Sequence, residues 1–95
     1  MKVNVQYLGL AKTYTRKPQD SLILTEGSSL ADLLNKLAEK YGKPFTPEIY
    51  DPAEQEVKPT FTVMVNGVIM GQLNGINTKL KNDDKIVLMP LMTGG

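Results

Sequence analysis

Gly94 and Gly95 close the printed chain and are the residues whose chemistry stands out most clearly. An α-carboxyl group has a pKa of about 3.5, so a carboxylate on Gly95 is ionised at neutral pH and can act as a nucleophile. Because neither glycine has a Cβ atom, this segment can pass through a narrow channel and adopt backbone conformations that other residues avoid. We therefore predict a reactive tail at Gly94 and Gly95, and the plain alternative is an inert, frayed end.

The rest of the composition argues against most enzyme classes. The chain of 95 residues contains no cysteine and no histidine. Without cysteine there is no thiolate nucleophile, no disulfide and no zinc–sulfur site, and without histidine the commonest general base and metal ligand is missing. We predict that this chain holds no metal and is not itself an enzyme.

The charge balance narrows the class of partner. Eleven basic and ten acidic residues leave a formal net charge of +1, whereas contacts with nucleic-acid phosphates require an excess of basic residues. No stretch approaches the roughly 20 apolar residues of a membrane span, and the opening residues lack the long apolar run of a signal peptide. We expect a single cytoplasmic domain over residues 1–95 that binds neither nucleic acid nor membrane.

The elements that must position the tail follow from the spacing of apolar residues. Alternation of apolar and polar residues predicts four strands, at 2–8, 21–26, 61–66 and 85–91. The dipeptide Asn66-Gly67 predicts a hairpin that returns over 68–70. Glycine, proline and many polar residues predict loops over 9–19 and 43–60, and the second allows one helical or extended turn over 45–50.

One amphipathic helix is the clearest element. Its apolar residues form a single stripe of Leu30, Leu33, Leu34, Leu37, Ala38 and Tyr41. Ser28 or Ser29 can cap the first turn, Asp32 favours its positive end, and a left-handed Gly42 followed by Pro44 ends it. One helix needs one sheet face to cover its stripe, so the element order predicts an α+β roll of the ubiquitin, or β-grasp, type. This roll has a four- or five-stranded mixed sheet packed on one main helix.

A second candidate site is an apolar surface on the sheet face that the helix leaves open. Alternation along the last two long strands places Met64, Val87, Met89 and Leu91 together on that face. Exposed apolar patches on small domains mark partner sites, and methionine adapts to partners of more than one shape. The alternative is that the proline-rich segment 43–60 covers these side chains as ordinary core.

Three segments of the chain together resemble a known family: the helix SSLADLLNKLAEKYG, the turn VMVNG and the ending LKNDDKIVLMPLMTGG. They resemble the MoaD/ThiS sulfur-carrier proteins of molybdopterin and thiamin biosynthesis. The long proline-bearing segment before VMVNG is most similar to the archaeal-type MoaD proteins and the ubiquitin-like small modifiers. Two departures stand out. Asn82 lies in a turn where the family usually has a glycine, although asparagine tolerates the left-handed conformation. Leu91 follows Pro90 where many members have a second proline.

This resemblance implies that Gly95 is the reacting residue. An E1-like partner would use ATP to adenylate its carboxylate, and the acyl-adenylate would then become a thiocarboxylate or be captured by a thiol or an amine. The carrier itself would bind no cofactor. By the same resemblance the open sheet face docks the partner, with Met89 at a position used in docking, and Met92 and Thr93 complete the predicted contact set.

Three functions stay open from the sequence. The first is a sulfur carrier, resembling the small subunit of molybdopterin synthase, whose partner is the large subunit of that enzyme or another sulfur acceptor. The second is a protein modifier joined through Gly95 to lysine side chains. The third is a β-grasp binding module with an inert tail. In each case the tail at 92–95 is predicted to be flexible.

Overall fold

The computed structural model describes residues 1–91, and the final four residues lie outside the described part. The elements follow in the order β1 (Lys2–Tyr7), α1 (Leu10–Thr15), β2 (Gln19–Ile23), α2 (Leu30–Tyr41), α3 (Phe45–Glu48), β3 (Tyr50–Asp51), β4 (Glu56–Val57), β5 (Phe61–Val65), β6 (Val68–Ile69) and β7 (Lys85–Pro90). Two 3-10 turns, Met70–Gln72 and Gly75–Asn77, lie between β6 and β7.

Five of the strands form one mixed sheet in the order β2-β1-β7-β5-β6. The central pair, β1 and β7, runs parallel, and the other neighbours run antiparallel. The strand that comes last in the chain therefore lies in the middle of the sheet. With α2 packed on one face, this is the predicted β-grasp roll, and its mixed sheet has five strands.

Helix α2 has the predicted signals at both ends. The Ser29 side chain accepts from the Asp32 amide at 3.3 Å, and the Asp32 carboxylate accepts from the Ser29 amide at 2.8 Å, so the two residues form a capping box. Gly42 ends the helix with φ 57° and ψ −134°. Its φ is positive as predicted, but its ψ lies outside the left-handed helical region.

The stripe of α2 forms the centre of the core. Leu30, Leu33, Leu34 and Leu37 are completely buried, against inward-facing residues of the strands that include Val3, Val5, Val63, Ile86 and Leu88. Burying one leucine side chain contributes about 1.5–3 kcal/mol to stability. The open face of the sheet is consequently the face away from these leucines.

The prediction of a loop over 9–19 is wrong for its first half, where the chain forms α1. Gly9 enters this helix with φ 56°, and Arg16 leaves it in the left-handed conformation. The Thr15 hydroxyl is buried and donates to the Ala11 carbonyl at 3.0 Å. Strand β2 also begins two residues earlier than predicted, because the Tyr7 amide already bonds to the carbonyl of Pro18 at 2.8 Å. The strand ends at Ile23, before the predicted end at residue 26.

The proline-rich segment 43–60 is ordered and supplies part of the core. It forms α3, within the range predicted for one ordered turn, and the β3–β4 hairpin. Phe45, Ile49 and Tyr50 are completely buried in the same cluster as the α2 leucines. The Tyr50 hydroxyl donates to the side chain of Asn35 at 2.8 Å. The segment therefore packs on the helix side of the sheet.

Two turns fix the register around β7. The hairpin between β5 and β6 is the predicted one, with positive φ at Asn66 and Gly67. In the turn before β7 the residue with positive φ is Asp83, at 68°, rather than Asn82. The Asn82 side chain instead accepts from the Lys2 amide at 2.8 Å, which ties this turn to the start of β1.

Candidate functional site

Strand β7 leads to the predicted reactive tail, and its last residues are held on both sides. On the β5 side, the Asn66 amide donates to the Lys85 carbonyl and the Leu91 amide donates to the Thr60 carbonyl, both at 2.8 Å. These bonds mark the hydrogen-bonded pairs of the two strands, so Pro90, opposite Phe61, falls between them and turns its nitrogen toward β1.

The nitrogen of Pro90 therefore faces the place where β1 ends. The Leu8 amide makes the last bond to β7, at 3.0 Å from the Leu88 carbonyl, while the Leu8 carbonyl accepts from the Ala11 amide at the start of α1. No ladder bond is lost at Pro90, because the proline nitrogen, which has no hydrogen to donate, faces a carbonyl that already has a partner.

Gly9 provides the other contact at the end of β7. A Cβ atom on Gly9 would lie 2.8 Å from the Cγ atom of Pro90 and 3.0 Å from its Cδ atom. The proline ring thus rests directly on the backbone at the beginning of α1. Together with the Leu91–Thr60 bond, this contact fixes where the chain leaves the sheet. The tail residues Met92, Thr93, Gly94 and Gly95 lie outside the described residues.

The apolar residues predicted for docking lie on the open face beside this exit. Met64, Val87 and Met89 are half-buried, and Leu91 is 48% exposed. Met64 pairs with Val87 across β5 and β7, and with Ile69 across β5 and β6. We call Met64, Ile69, Val87, Met89 and Leu91 the apolar patch. Their role in docking stays a prediction.

Segment 43–60 does not cover the patch with its buried side chains. Phe45, Ile49 and Tyr50 enter the core on the helix side, and none of the patch residues belongs to that core cluster. Three further exposed apolar residues, which the sequence did not single out, are Ile69, Leu8 and Leu10, with exposures of 45%, 38% and 50%. Ile69 could have been found from its register opposite Met64, and Leu8 from its place at the end of the predicted strand 2–8. Leu10 was hidden by the prediction of a loop over 9–19.

A buried carboxylate, also missed, anchors the sheet to α2. Asp20 is 9% exposed. One of its oxygens accepts hydrogen bonds from the hydroxyls of Tyr7, at 2.7 Å, and Tyr41. The other oxygen forms ion pairs with Lys17 at 3.3 Å and Lys40 at 3.0 Å. We call these five residues the Asp20 cluster.

The cluster changes the acidity of its members. Burial by itself would raise the pKa of Asp20, but the hydrogen bonds from Tyr41, Tyr7, Lys40 and Lys17 outweigh it and lower that pKa to about 2. Burial and the hydrogen bond to Asp20 raise the pKa of both tyrosines above their ordinary value. Near neutral pH Asp20 therefore stays ionised and both tyrosines stay protonated, so the cluster serves as a structural anchor.

A cleft of about 530 Å³ lies away from the patch, between the end of α2 and segment 43–60. It is lined by Asn35, Ala38, Glu39, Gly42, Lys43, Thr46 and Pro52. The lining offers one carboxylate and one ammonium group, so it favours neither sign of ligand charge, and we assign it no function.

No group of three or more side chains among the described residues is arranged to hold a metal ion. Within the same residues, no helix has both the length and the apolar character needed to cross a membrane.

Solved structures share this fold over almost their whole length. The small archaeal modifier protein 1 from Methanosarcina acetivorans is 23% identical, with a TM-score of 0.79 over 99% of this chain and 96% of that one. A Pyrococcus furiosus protein named as a molybdopterin converting factor, subunit 1, is 20% identical, with a TM-score of 0.76 over 95% and 97% of the two chains. The BexX/CysO complex of Amycolatopsis orientalis contains a chain 16% identical, with a TM-score of 0.74 over 98% and 99%.

At these identities the likeness to solved structures establishes the ubiquitin-like fold. No curated protein sequence is significantly similar to this chain. The model of the ThiS family, however, matches residues 5–95, which include the second half of β1, every later element and the tail. The chain therefore belongs to the ThiS family, within the MoaD/ThiS group of ubiquitin-like carriers and modifiers that its helix, its VMVNG turn and its last strand resemble.

Proposed function

We propose that this chain is a sulfur carrier whose reacting group is the C-terminal carboxylate of Gly95. The observation that supports this function best is the geometry at the end of β7. The Pro90–Gly9 contact and the Leu91–Thr60 bond hold the strand to its last described residue, so the four residues that follow start from a fixed point. A partner that binds the adjacent apolar patch would therefore meet the start of the tail at a fixed position.

The chemistry is an acyl activation in two steps. The Gly95 carboxylate attacks the α-phosphorus of ATP on an E1-like partner, and pyrophosphate leaves. A hydrosulfide donor then adds to the carbonyl carbon of the acyl-adenylate, AMP leaves, and a thiocarboxylate with one proton released is the product. The partner supplies the nucleotide site and the acid–base groups, which agrees with a carrier that contains no cysteine or histidine.

The acceptor that we propose is the large subunit of molybdopterin synthase, with this chain as its small subunit in the cytoplasm. The fold shared with the Pyrococcus furiosus protein supports this choice. In the BexX/CysO complex a protein of this fold is assembled with another chain. This supports an assembly in which the partner of the present chain supplies the active site. A different sulfur acceptor would leave the activation step unchanged.

A second candidate function is protein modification. The small archaeal modifier protein of the same fold favours it. In this case a lysine amine attacks the activated Gly95 carbonyl in place of hydrosulfide and forms an isopeptide bond. Both candidates share the adenylation step and differ only in the acceptor.

Intact mass spectrometry of the protein from its native host tests the proposal. A chain that ends at Gly95 with one oxygen exchanged for sulfur is the expected result for the carrier. Slower-migrating conjugates would identify the modifier. An unmodified chain under all conditions, or a chain that continues beyond Gly95 without trimming, would contradict both functions.

Adenylation itself is tested by ATP–pyrophosphate exchange with the cognate activating enzyme. Removing Gly94 and Gly95 is expected to abolish exchange and to leave the melting temperature unchanged. The matched control is a semisynthetic chain with all 95 residues and a C-terminal amide, which keeps every side chain and removes only the nucleophilic carboxylate. Continued exchange with the truncated chain or the amide would contradict the proposal.

A further inference from the structure

The outer edge of β2 carries backbone groups that no strand within residues 1–91 pairs with. The Leu24 amide bonds to the Met1 carbonyl and the Tyr7 amide to the Pro18 carbonyl, each at 2.8 Å. These two bonds show that the backbone N–H and C=O groups of the even-numbered residues of β2 point toward β1. The N–H and C=O groups of Gln19, Ser21 and Ile23 therefore point outward, which is the arrangement that accepts an additional strand.

The surroundings of this edge are cationic. The Lys36 ammonium reaches from α2 to the outward Ile23 carbonyl at 3.2 Å, and Lys17 and Lys40 both pair with the single carboxylate of Asp20. Three ammonium groups against one carboxylate leave two positive charges along one five-residue strand.

Two other carboxylates near this edge offset the charge only in part. Asp32 accepts from the amide and the hydroxyl of Ser29 in the capping box, and Glu26 lies 3.7 Å from the amino group of Met1. Glu26 is therefore matched by a positive charge. Asp32, one turn before Lys36 on α2, is bonded only to neutral groups, so it keeps its charge and leaves one excess positive charge at the edge. The edge therefore favours a strand that brings its own negative charges.

Ile23 adds an apolar element to the same edge. Its side chain is 68% exposed, on the last residue of β2. An added strand would place a side chain directly beside Ile23, and an apolar residue there would remove both surfaces from water. The edge thus fits an extended segment that combines an apolar centre with acidic flanks.

We propose that the β2 edge binds an acidic, extended segment of a partner protein by β-strand addition. A second copy of this chain is the alternative occupant, but antiparallel pairing of two β2 edges would bring Lys17, Lys36 and Lys40 of both copies together. An acidic partner instead matches these charges, and Lys36 can exchange the Ile23 carbonyl for a carboxylate. The site uses a different strand from the apolar patch, so it does not depend on activation of the tail.

The probes are two synthetic peptides with the same Val-Ile-Val centre, one flanked by aspartates and the other by lysines. Amide hydrogen exchange and chemical shifts are followed by NMR on the full chain. The aspartate peptide is expected to slow exchange at Ser21 and Ile23 and to shift the resonances of β2, with binding that weakens as salt is added. The lysine peptide is expected to leave them unchanged. Equal binding of both peptides, or of neither, would overturn the proposal.

Two variants locate the binding site. Ser21→Pro removes an outward backbone donor without breaking a backbone bond to β1 and is expected to abolish binding. It also removes the hydroxyl that donates to the Asn4 side chain at 2.9 Å, so the melting temperature of this variant is measured as well. Lys36→Glu is expected to weaken binding of the aspartate peptide about tenfold at low salt, whereas Lys81→Glu, in the turn before β7, serves as the matched control and should keep full affinity. If Ser21→Pro fails to fold, the comparison of Lys36→Glu with Lys81→Glu still tests the proposal. If exchange of these amides becomes slower as the protein concentration rises in the absence of peptide, a second copy of the chain occupies the edge, and the proposal is contradicted.

Discussion

Gly9 and Pro90 are in direct contact although they lie at opposite ends of the chain. The Cβ position of Gly9 falls 2.8 Å from Pro90 Cγ, closer than two carbon atoms can approach without displacement. The contact joins the start of α1 to the end of β7, where the tail begins. Any side chain at position 9 must therefore move the strand end or the helix.

Gly9→Ala is expected to destabilise the domain by about 1–3 kcal/mol, because alanine is strained at positive φ and its methyl group overlaps the proline ring. Gly42 is a matched control, since its φ of 57° and ψ of −134° nearly equal the 56° and −131° of Gly9, but its Cβ position has open space around it. Urea unfolding of both alanine variants separates the two effects. Equal losses of stability would show that the proline contact contributes nothing.

Acid is expected to weaken the domain through Asp20. Its pKa is lowered from 3.8 to about 2 by the cluster, so the carboxylate stabilises the fold above pH about 4 and loses this contribution as the pH falls toward 2. The shift corresponds to about 2 kcal/mol. The free energy of unfolding, measured against pH for the native chain and Asp20→Asn, should differ most above pH about 4 and converge toward pH 2. A constant difference would contradict the assigned pKa.

Tyr7→Phe is expected to cost about 1.5–3 kcal/mol, because a buried hydrogen bond to a charged group is lost while the ring stays in place. It should also raise the pKa of Asp20, which the carboxyl chemical shift in an NMR titration reports. Tyr50→Phe is the control: it removes the hydrogen bond to the neutral side chain of Asn35 and leaves the pKa of Asp20 unchanged. No change in that pKa with Tyr7→Phe would exclude this hydroxyl as one of its causes.

Met89→Asp is expected to keep the fold and weaken binding of the activating enzyme more than tenfold, because a carboxylate would then be buried in an apolar interface. Leu88→Asp, one residue earlier and completely buried, should unfold the chain. Gln19→Asp, exposed on β2 at the far side of the same sheet, should retain both fold and binding. Melting temperature and calorimetric affinity check the three variants. Global unfolding of the Met89→Asp variant would show that Met89 is a core residue and would contradict its role in docking.

The parts of the fold that could be predicted have strong local signals. Helix α2 combines a capping box at Ser29 and Asp32 with four leucines on one stripe, and Asn66-Gly67 determines its hairpin through backbone conformation alone. Helix α1 has only six residues, too few for a hydrophobic period to be distinguished from a loop. A helix this short depends on tertiary packing, which here includes the burial of Ala11 and Thr15.

The Asp20 cluster could not be predicted for a related reason. Its members come from β1, β2, α2 and the loop before β2, and only the folded chain brings them together. An inward-facing aspartate on a strand is a visible signal, but the strand was predicted to start at residue 21 and so left Asp20 outside it. In the turn before β7, Asn82 was assigned the left-handed conformation that Asp83 adopts, because both residue types tolerate it.

The order of synthesis gives the central position of β7 a biological consequence. Until residues 85–90 have left the ribosome, the β2–β1 and β5–β6 hairpins have no strand between them, and neither hairpin is stable alone. A chain terminated before that point therefore lacks the finished sheet that carries the apolar patch. On the function that we propose, only a fully synthesised chain then offers both the folded surface and the tail to its activating partner.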